Sequence, residues 1–241
     1  MNRAQAIAAN LAEVRARIAQ AEAAAGRAAG SARLVAVSKT VAPADILAAL
    51  AAGQQDFGES YGQEFRDKRF EVETGAQVAD LPQPCWHFIG PLQTNKVKYV
   101  AGRVALIHSI EAEDVLAEIE RRVATLQLPA PQDCLIQVNL AGETQKHGVA
   151  PAALAALLAS FARLTHLRCT GLMVMPPFSD HPEESRTIFA ALRRLRDEQA
   201  AISRPNVQLA ELSMGMSHDL EVAVAEGATL VRVGTAIFGA R

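Results

Sequence analysis

Eight short β-rich runs, each followed by a stretch of helical character, constrain the fold of this chain more than any other feature. The runs are RLVAVSK, QDFGES, WHFIG, ALIHSI, CLIQVNL, RCTGLMVM, VQLAELSMG and TLVRVGTAIFG. Between them, helix candidates begin near Pro43, Tyr61, Gln93, Glu111, Pro151, Pro182 and Ser217, several with proline in the first turn or a capping residue beside it. Eight strands alternating with helices in 241 residues match a (β/α)8 barrel, for which about 250 residues are typical. A doubly wound open sheet is the alternative. No Gly/Ser linker, low-complexity tract or short-period repeat divides the chain. The expectation is an α/β TIM barrel in one domain spanning 1–241, with residues 1–30 forming an extra N-terminal helix packed on it.

Composition narrows the function classes. Half of the residues are hydrophobic and 21% are charged, which suits one large domain with a well-developed core. Lys and Arg total 24 against 26 for Asp and Glu, so a net charge of -2 gives no general attraction to nucleic acid or an anionic membrane. Cys85, Cys134 and Cys169 are odd in number and outside any CxxC pair, which argues against a disulfide framework or structural zinc. The histidines form no HExxH or comparable ligand spacing, so no metal is expected. The N-terminal stretch is alanine-rich but interrupted by Arg15, Arg17 and Glu22, and it lacks a signal-peptide core. No segment carries the eighteen or so uninterrupted apolar residues of a spanning helix. The expected location is the cytoplasm.

In such a barrel the chemistry gathers at the C-terminal ends of the strands, and phosphates are often held after the seventh and eighth. The first run delivers an ammonium group, Lys39, at its end. Burying that charge unpaired costs several kcal/mol or more, roughly, so the lysine either emerges into solvent or serves as an amine. The seventh run leads into LSMGMSHDLEVAVAEGA, Leu212 to Ala228, with Ser213, Gly215 and Ser217 at a strand-to-helix junction. Unpaired amides there, hydroxyl donors and a position without Cβ suit an anion, although an ordinary N-cap by Ser217 explains the same residues. Asp219 would repel a phosphate unless it points away. In VRVGTAIFGAR, alternation puts Val231 and Val233 on one face and Arg232 with Gly234 on the other, followed by Thr235. An arginine inside so apolar a strand needs a dedicated partner, whether a cofactor or an ion pair. Strand eight closes against strand one, so these segments become neighbours. An amine beside a phosphate cradle fits an aldehyde carrying a phosphate, captured as a Schiff base, with pyridoxal phosphate the leading candidate.

The motifs VSKT, FGESYGQE, WHFIGPLQTNK, IHSIEAED, LIQVNLAGETQKHGV, GLMVMPP and LSMGMSHDLEVAVAEGATLVRVGTAIFGAR together resemble the YggS/PROSC family of pyridoxal phosphate homeostasis proteins. The resemblance runs from Val35 to Arg241. It implies a single barrel like the N-terminal domain of alanine racemase, with Lys39 holding the cofactor as a Schiff base. It also implies that Ser213, Gly215, Ser217, Gly234 and Thr235 surround the phosphate and that Arg232 faces the pyridine nitrogen. A monomer is implied, one that stores or delivers the cofactor to pyridoxal-phosphate-dependent apoenzymes, with consequences for amino-acid and keto-acid balance. One departure is visible: the family's GENY reads GESY here, with Ser60 in place of asparagine, and no role is carried over to that position.

Catalysis would demand more than a bound aldehyde. An arginine opposite the pyridine nitrogen disfavours its protonation and weakens the electron sink. Racemases of this architecture add a tyrosine base from a C-terminal β-domain, whereas this chain ends after strand eight and has only Tyr61 and Tyr99. The expectation is therefore a non-catalytic carrier. The alternatives are a pyridoxal-phosphate enzyme such as an amino-acid racemase, and a Schiff-base aldolase. His87 reads as a hydrogen-bonded strand residue, and Asn95 and Lys96 as groups able to steer an anion. Met173 and Met175 read as barrel lining, and the RRLR run from Arg193 as a solvated charged face.

Overall fold

The computed structural model describes residues 1–142 and 147–239. Residues 143–146, inside the motif LIQVNLAGETQKHGV, and residues 240–241 lie outside the described residues. Strands β1 (Arg33–Val37), β2 (Asp56–Glu59), β3 (Cys85–Phe88), β4 (Leu106–Ile110), β5 (Gln132–Gln137), β6 (Leu167–Met173), β7 (Val207–Ser213) and β8 (Leu230–Val233) close into a barrel in chain order. Every pairing is parallel, including β8 with β1, where Val35 opposes Arg232 and Ala36 opposes Val233. That register brings the two most distant strands of the sequence side by side. The open-sheet alternative is excluded by it.

The helices cover the outside: α1 (Arg3–Ala24), α2 (Pro43–Ala51), α3 (Gly62–Val78), α4 (Val97–Val100), α5 (Glu113–Ala124), α6 (Pro151–Ser160), α7 (Arg186–Ala200), α8 (Leu220–Ala225) and α9 (Thr235–Phe238). Both faces of the sheet are thus buried, which is why the strands are apolar almost throughout. Val35, Leu106, Leu135, Met173 and Leu230 fill the interior, while Val231, Val233, Phe57 and Trp86 belong to the larger core between strands and helices. Met173 lines the barrel as expected. Met175 lies beyond the strand and is exposed.

Helix α1 starts from a capping box in which Asn2 and Gln5 each accept the other's backbone amide at 2.9 Å. Its buried stripe of Ile7, Leu11, Val14, Ile18 and Ala21 follows helical spacing and packs on α2, α8 and α9. At about 1.5–3 kcal/mol for each large side chain buried, this stripe is enough to hold the helix on the barrel. Four boundaries differ from expectation. Short 3-10 turns, Thr94–Lys96 and Pro182–Ser185, occupy the expected starts near Gln93 and Pro182, so α4 begins at Val97 and α7 at Arg186. The eighth run is a strand only to Val233, and Thr235–Phe238 forms α9. Helix α8 begins at Leu220 with Asp219 at its cap, rather than at Ser217.

Candidate functional site

Strand β1 stops at Val37, and Ser38 and Thr40, on either side of Lys39, are held by a polar network. Ser38 is fully buried, and its amide donates to Gly58 O at 2.9 Å. Its hydroxyl donates to Glu59 Oε1 at 2.7 Å. From α3, Lys68 Nζ donates to Ser38 O at 2.7 Å, to Glu59 Oε1 at 3.0 Å and to Glu64 Oε1 at 2.5 Å. Glu64 in turn accepts the Thr40 amide at 2.6 Å, which stabilises Thr40 at a left-handed φ of 59°. Burial raises the Glu59 pKa, against the opposing pull of the Lys68 ammonium. Lys39 sits between these two anchored neighbours. It is half-buried and, among the described residues, makes no hydrogen bond or ion pair. Lys68 thus has its amine committed to the backbone and carboxylates beside Lys39, while the Lys39 amine is uncommitted.

Past β7 and β8 the chain forms the second half of the site. Met214 N donates to Leu230 O at 3.1 Å, and Arg232 N to Gly215 O at 3.0 Å, so the loop after β7 continues along β8. Gly215 has φ +91°, and a Cβ there would stand 2.5 Å from the Ala223 Cβ, so both conformation and space demand glycine. Asp219 closes the loop. Its Oδ1 accepts the Met216 amide at 2.6 Å and its Oδ2 the Ser185 hydroxyl at 3.1 Å, which ties the carboxylate to protein donors. Thr235 Oγ1 donates to Ser217 Oγ at 3.1 Å, with Gly234 immediately before it. From α1, Arg17 reaches Ser217 O at 3.1 Å and pairs with Glu221 at 2.6 Å.

Arg232 is 4% exposed and points inward from β8. It donates to Ser213 Oγ at 2.6 Å and to Val174 O at 3.0 Å. Burial pushes its guanidinium down to about 10, opposed by the charge of Asp219, so it remains a cation at neutral pH. The Ser213 hydroxyl thus faces Arg232 and also lies 2.8 Å from His108 Nδ1. Lys39, Ser213, Gly215, Ser217, Arg232, Gly234 and Thr235 all fall in or just beyond β1, β7 and β8. Ser213 and Arg232 form the buried floor, while Ser217 and Thr235 pair their hydroxyls above.

Sequence reasoning missed Glu59, Glu64 and Lys68, because nothing in the helical run GQEFRDKRFEVETGAQV marks one of its basic residues as buried. It also missed the grouping of Asp56, Cys85 and His87, whose donor atoms lie within 4.8 Å of one another. The β2–β3 register, Asp56 opposite Cys85, creates that trio. His87 Nε2 is already bonded to Asp56 at 2.9 Å, and burial with the Asp56 charge pushes the Cys85 thiol up to about 11. At the C-terminal face a cavity of about 310 Å³ is lined by Ser60, Tyr61, Gln93, Lys96, Glu111 and His147. A larger one of about 400 Å³ lies at the opposite end, against Arg15, Glu22, Gln54 and Asp56. Of these two, the first lies at the same end of the barrel as Lys39, although its lining includes none of Lys39, Ser213, Gly215, Ser217, Arg232, Gly234 or Thr235. The RRLR run is a paired surface face: Arg193 meets Glu226 at 3.1 Å and Arg196 meets Asp197 at 2.5 Å.

Residues 4–241 match the family described as alanine racemase, N-terminal domain. A pyridoxal phosphate homeostasis protein of Aquifex aeolicus is 45% identical over 90% of both chains. Its counterpart in Pseudomonas aeruginosa is 44% identical over 98% of this chain and 96% of its own. The chain belongs to this family. Among solved structures, PipY of Synechococcus elongatus with PLP bound is similar at 36% identity and a TM-score of 0.80, covering 97% of this chain and 100% of that one. The closed parallel barrel is thus the alanine racemase N-terminal-domain architecture. Within the described residues, no helix is long and apolar enough to cross a membrane.

Proposed function

We propose that this chain holds pyridoxal phosphate on Lys39 as a Schiff base and serves intracellular vitamin B6 homeostasis as a carrier. The observation that carries this reading is the Lys39 amine, which has no partner among the described residues although both neighbouring residues are pinned. The donor set fits the group: that amine for an aldehyde, the Ser217 and Thr235 hydroxyls with the Gly215 and Gly234 backbone for a phosphate, and Arg232 for a ring nitrogen. When bound, the cofactor supplies an electrophilic aldehyde to which a neutral amine adds with loss of water. Ser38 and Thr40 hold the backbone that aims Lys39. Arg232 presents donors to the ring nitrogen and keeps it from accepting a proton, which weakens electron withdrawal and favours carriage over catalysis.

Neither tyrosine lies on β1, β7 or β8, which carry the proposed cofactor residues: Tyr61 precedes α3 and is exposed, and Tyr99 is on α4 with Arg66, Lys96 and Lys98 over its ring at 5.0–5.9 Å. The reading extends to a monomer in the cytoplasm, where thiols such as Cys85, Cys134 and Cys169 stay reduced, passing the cofactor to apoenzymes. The test is borohydride reduction of the loaded protein followed by peptide mapping, with Lys39→Ala alongside. The cofactor mass is expected on Lys39 alone and absent from the variant. A label that persists in Lys39→Ala, or that maps to another lysine, overturns the assignment. Rapid exchange of an amino-acid α-proton by the loaded protein would favour the racemase alternative.

A further inference from the structure

A file of polar side chains crosses the barrel interior and ends on Arg232. Asp56 Oδ1 of β2 lies 2.9 Å from His87 Nε2 of β3. His87 Nδ1 lies 2.9 Å from His108 Nε2 of β4, and His108 Nδ1 lies 2.8 Å from Ser213 Oγ of β7. Arg232 Nη1 of β8 donates to that same oxygen at 2.6 Å. From His87 to Arg232 no member is more than 4% exposed, so water does not substitute for a missing partner.

The two ends fix the direction of the whole file. A guanidinium has only donors, and an ionised carboxylate only acceptors. Burial pushes Asp56 up, but hydrogen bonds from His87 and Cys85, with the charge of Arg33, hold it net below the usual carboxylate range, so it is ionised. Asp56 must therefore accept from His87 Nε2–H. With neutral rings, His87 Nδ1 accepts from His108 Nε2–H, and His108 Nδ1 accepts from the Ser213 hydroxyl. Burial first, with the charges of Arg232 and Arg33, holds His108 well below its ordinary pKa, consistent with a neutral ring. Every donor then meets one acceptor. The reverse order would set a bare ring nitrogen 2.9 Å from a carboxylate oxygen, two acceptors in contact.

We propose that Asp56, His87 and His108 are positioning residues for the cofactor site: they turn the Ser213 hydroxyl away from Arg232, leaving its oxygen to fix the guanidinium assigned to the ring nitrogen. This rests on the reading that the site holds pyridoxal phosphate. One proton added at His87 Nδ1 reverses the file. His87 then donates to both Asp56 and His108 Nε2, the single His108 proton sits on Nδ1, and the Ser213 hydroxyl proton loses its acceptor. The groups facing this path are Cys85 and His87 of β3 and Arg33 of β1 around Asp56, with Arg33 itself paired to Glu211 of β7 at 2.9 Å. His108 faces His87, Ser213 and Arg232, and Asp219 acts on Arg232.

The first measurement needs no cofactor. Long-range proton–nitrogen NMR of the full chain labelled at its histidines is expected to show His87 and His108 as Nε2–H tautomers at neutral pH. Either ring protonated on Nδ1 there overturns the proposal. The second follows the visible absorbance of added pyridoxal phosphate against pH in the parent protein, Asp56→Ala and Asp56→Glu. Asp56→Ala is expected to displace the profile and Asp56→Glu to restore it. Coincident profiles for all three, with cofactor bound, overturn the relay alone. A parent protein that binds no cofactor at Lys39 overturns the site reading with it, whereas the NMR result still reports the file.

Discussion

The Lys68→Met variant tests whether the buried network, rather than Lys39 itself, organises the amine's loop. Lys68 is 7% exposed and bonds three acceptors, of which Glu59 is fully buried and Glu64 is 26% exposed. Removing the ammonium leaves water able to reach Glu64, but not Glu59. Breaking a buried pair from one side costs about 3–5 kcal/mol, because the remaining charge has no compensation. The methionine restores most of the apolar volume, so the loss reports charge rather than a cavity. Adding Glu59→Gln removes the stranded charge and is expected to recover at least about half of that loss.

The assay is urea unfolding followed by the fluorescence of Trp86, the chain's one tryptophan, whose ring lies 5.6 Å from Phe65 of α3. The pH dependence has a definite sign. Burial already raises the folded Glu59 pKa, and Lys68 is the main influence lowering it. Without Lys68 the folded value rises further. A group with a raised folded pKa contributes stability fully below its unfolded pKa and loses it as pH rises through the folded one. The deficit of Lys68→Met is therefore expected to be small in acid and to grow above the ordinary carboxylate range. A loss under about 1 kcal/mol at neutral pH, or a double variant no more stable than the single one, would refute the reasoning.

Gly215→Ala forces a side chain onto φ +91° and against Ala223, and is expected to cost about 2–5 kcal/mol in denaturant unfolding, with cofactor affinity reduced further. Arg17→Ala removes a half-exposed tie to Ser217 O and Glu221; stability is expected to change by less than about 1 kcal/mol, while equilibrium titration with pyridoxal phosphate shows weaker binding. Asp56 has a depressed folded pKa, so its stability is present above the ordinary value and lost as pH falls through the folded one; acid unfolding of Asp56→Asn is expected to lose that limb.

The strands were legible because a sheet buried on both faces needs near-continuous apolar runs. Their ends were not. TAIF continues the apolar pattern of β8, and periodicity cannot separate a strand from one turn of helix over four residues; the break is the backbone bend at Gly234. Ser217 has the right chemistry for a cap, but the Asp219 carboxylate takes the Met216 amide and delays α8 to Leu220. Lys39 stood out as a charge ending an apolar run. Lys68 did not, because Arg66, Lys68 and Arg69 look alike in α3 and only the fold turns one of them onto Glu59. His87 reads as a hydrogen-bonded strand residue, and nothing in ALIHSI marks His108 as its partner. Barrel closure alone brings Ser213, 105 residues later, between His108 and Arg232.

The two halves of the proposed site are built to opposite tolerances, and this bears on release as well as capture. Arg232 is fixed by Ser213, Val174 and the file behind them, all inside the barrel, so its donors cannot follow a departing ligand. Lys39 has a fixed backbone and an unbonded side chain, so capture orders little more than one side chain, about 2 kcal/mol of rotamer entropy. On the proposed function, handing the cofactor to another amine then requires the Lys39 side chain to move and the barrel to stay. Amide hydrogen exchange of β7 and β8 is accordingly expected to be the same during transfer as at rest. Faster exchange in those strands only while cofactor is leaving would mean that the barrel opens and that this division of roles is wrong.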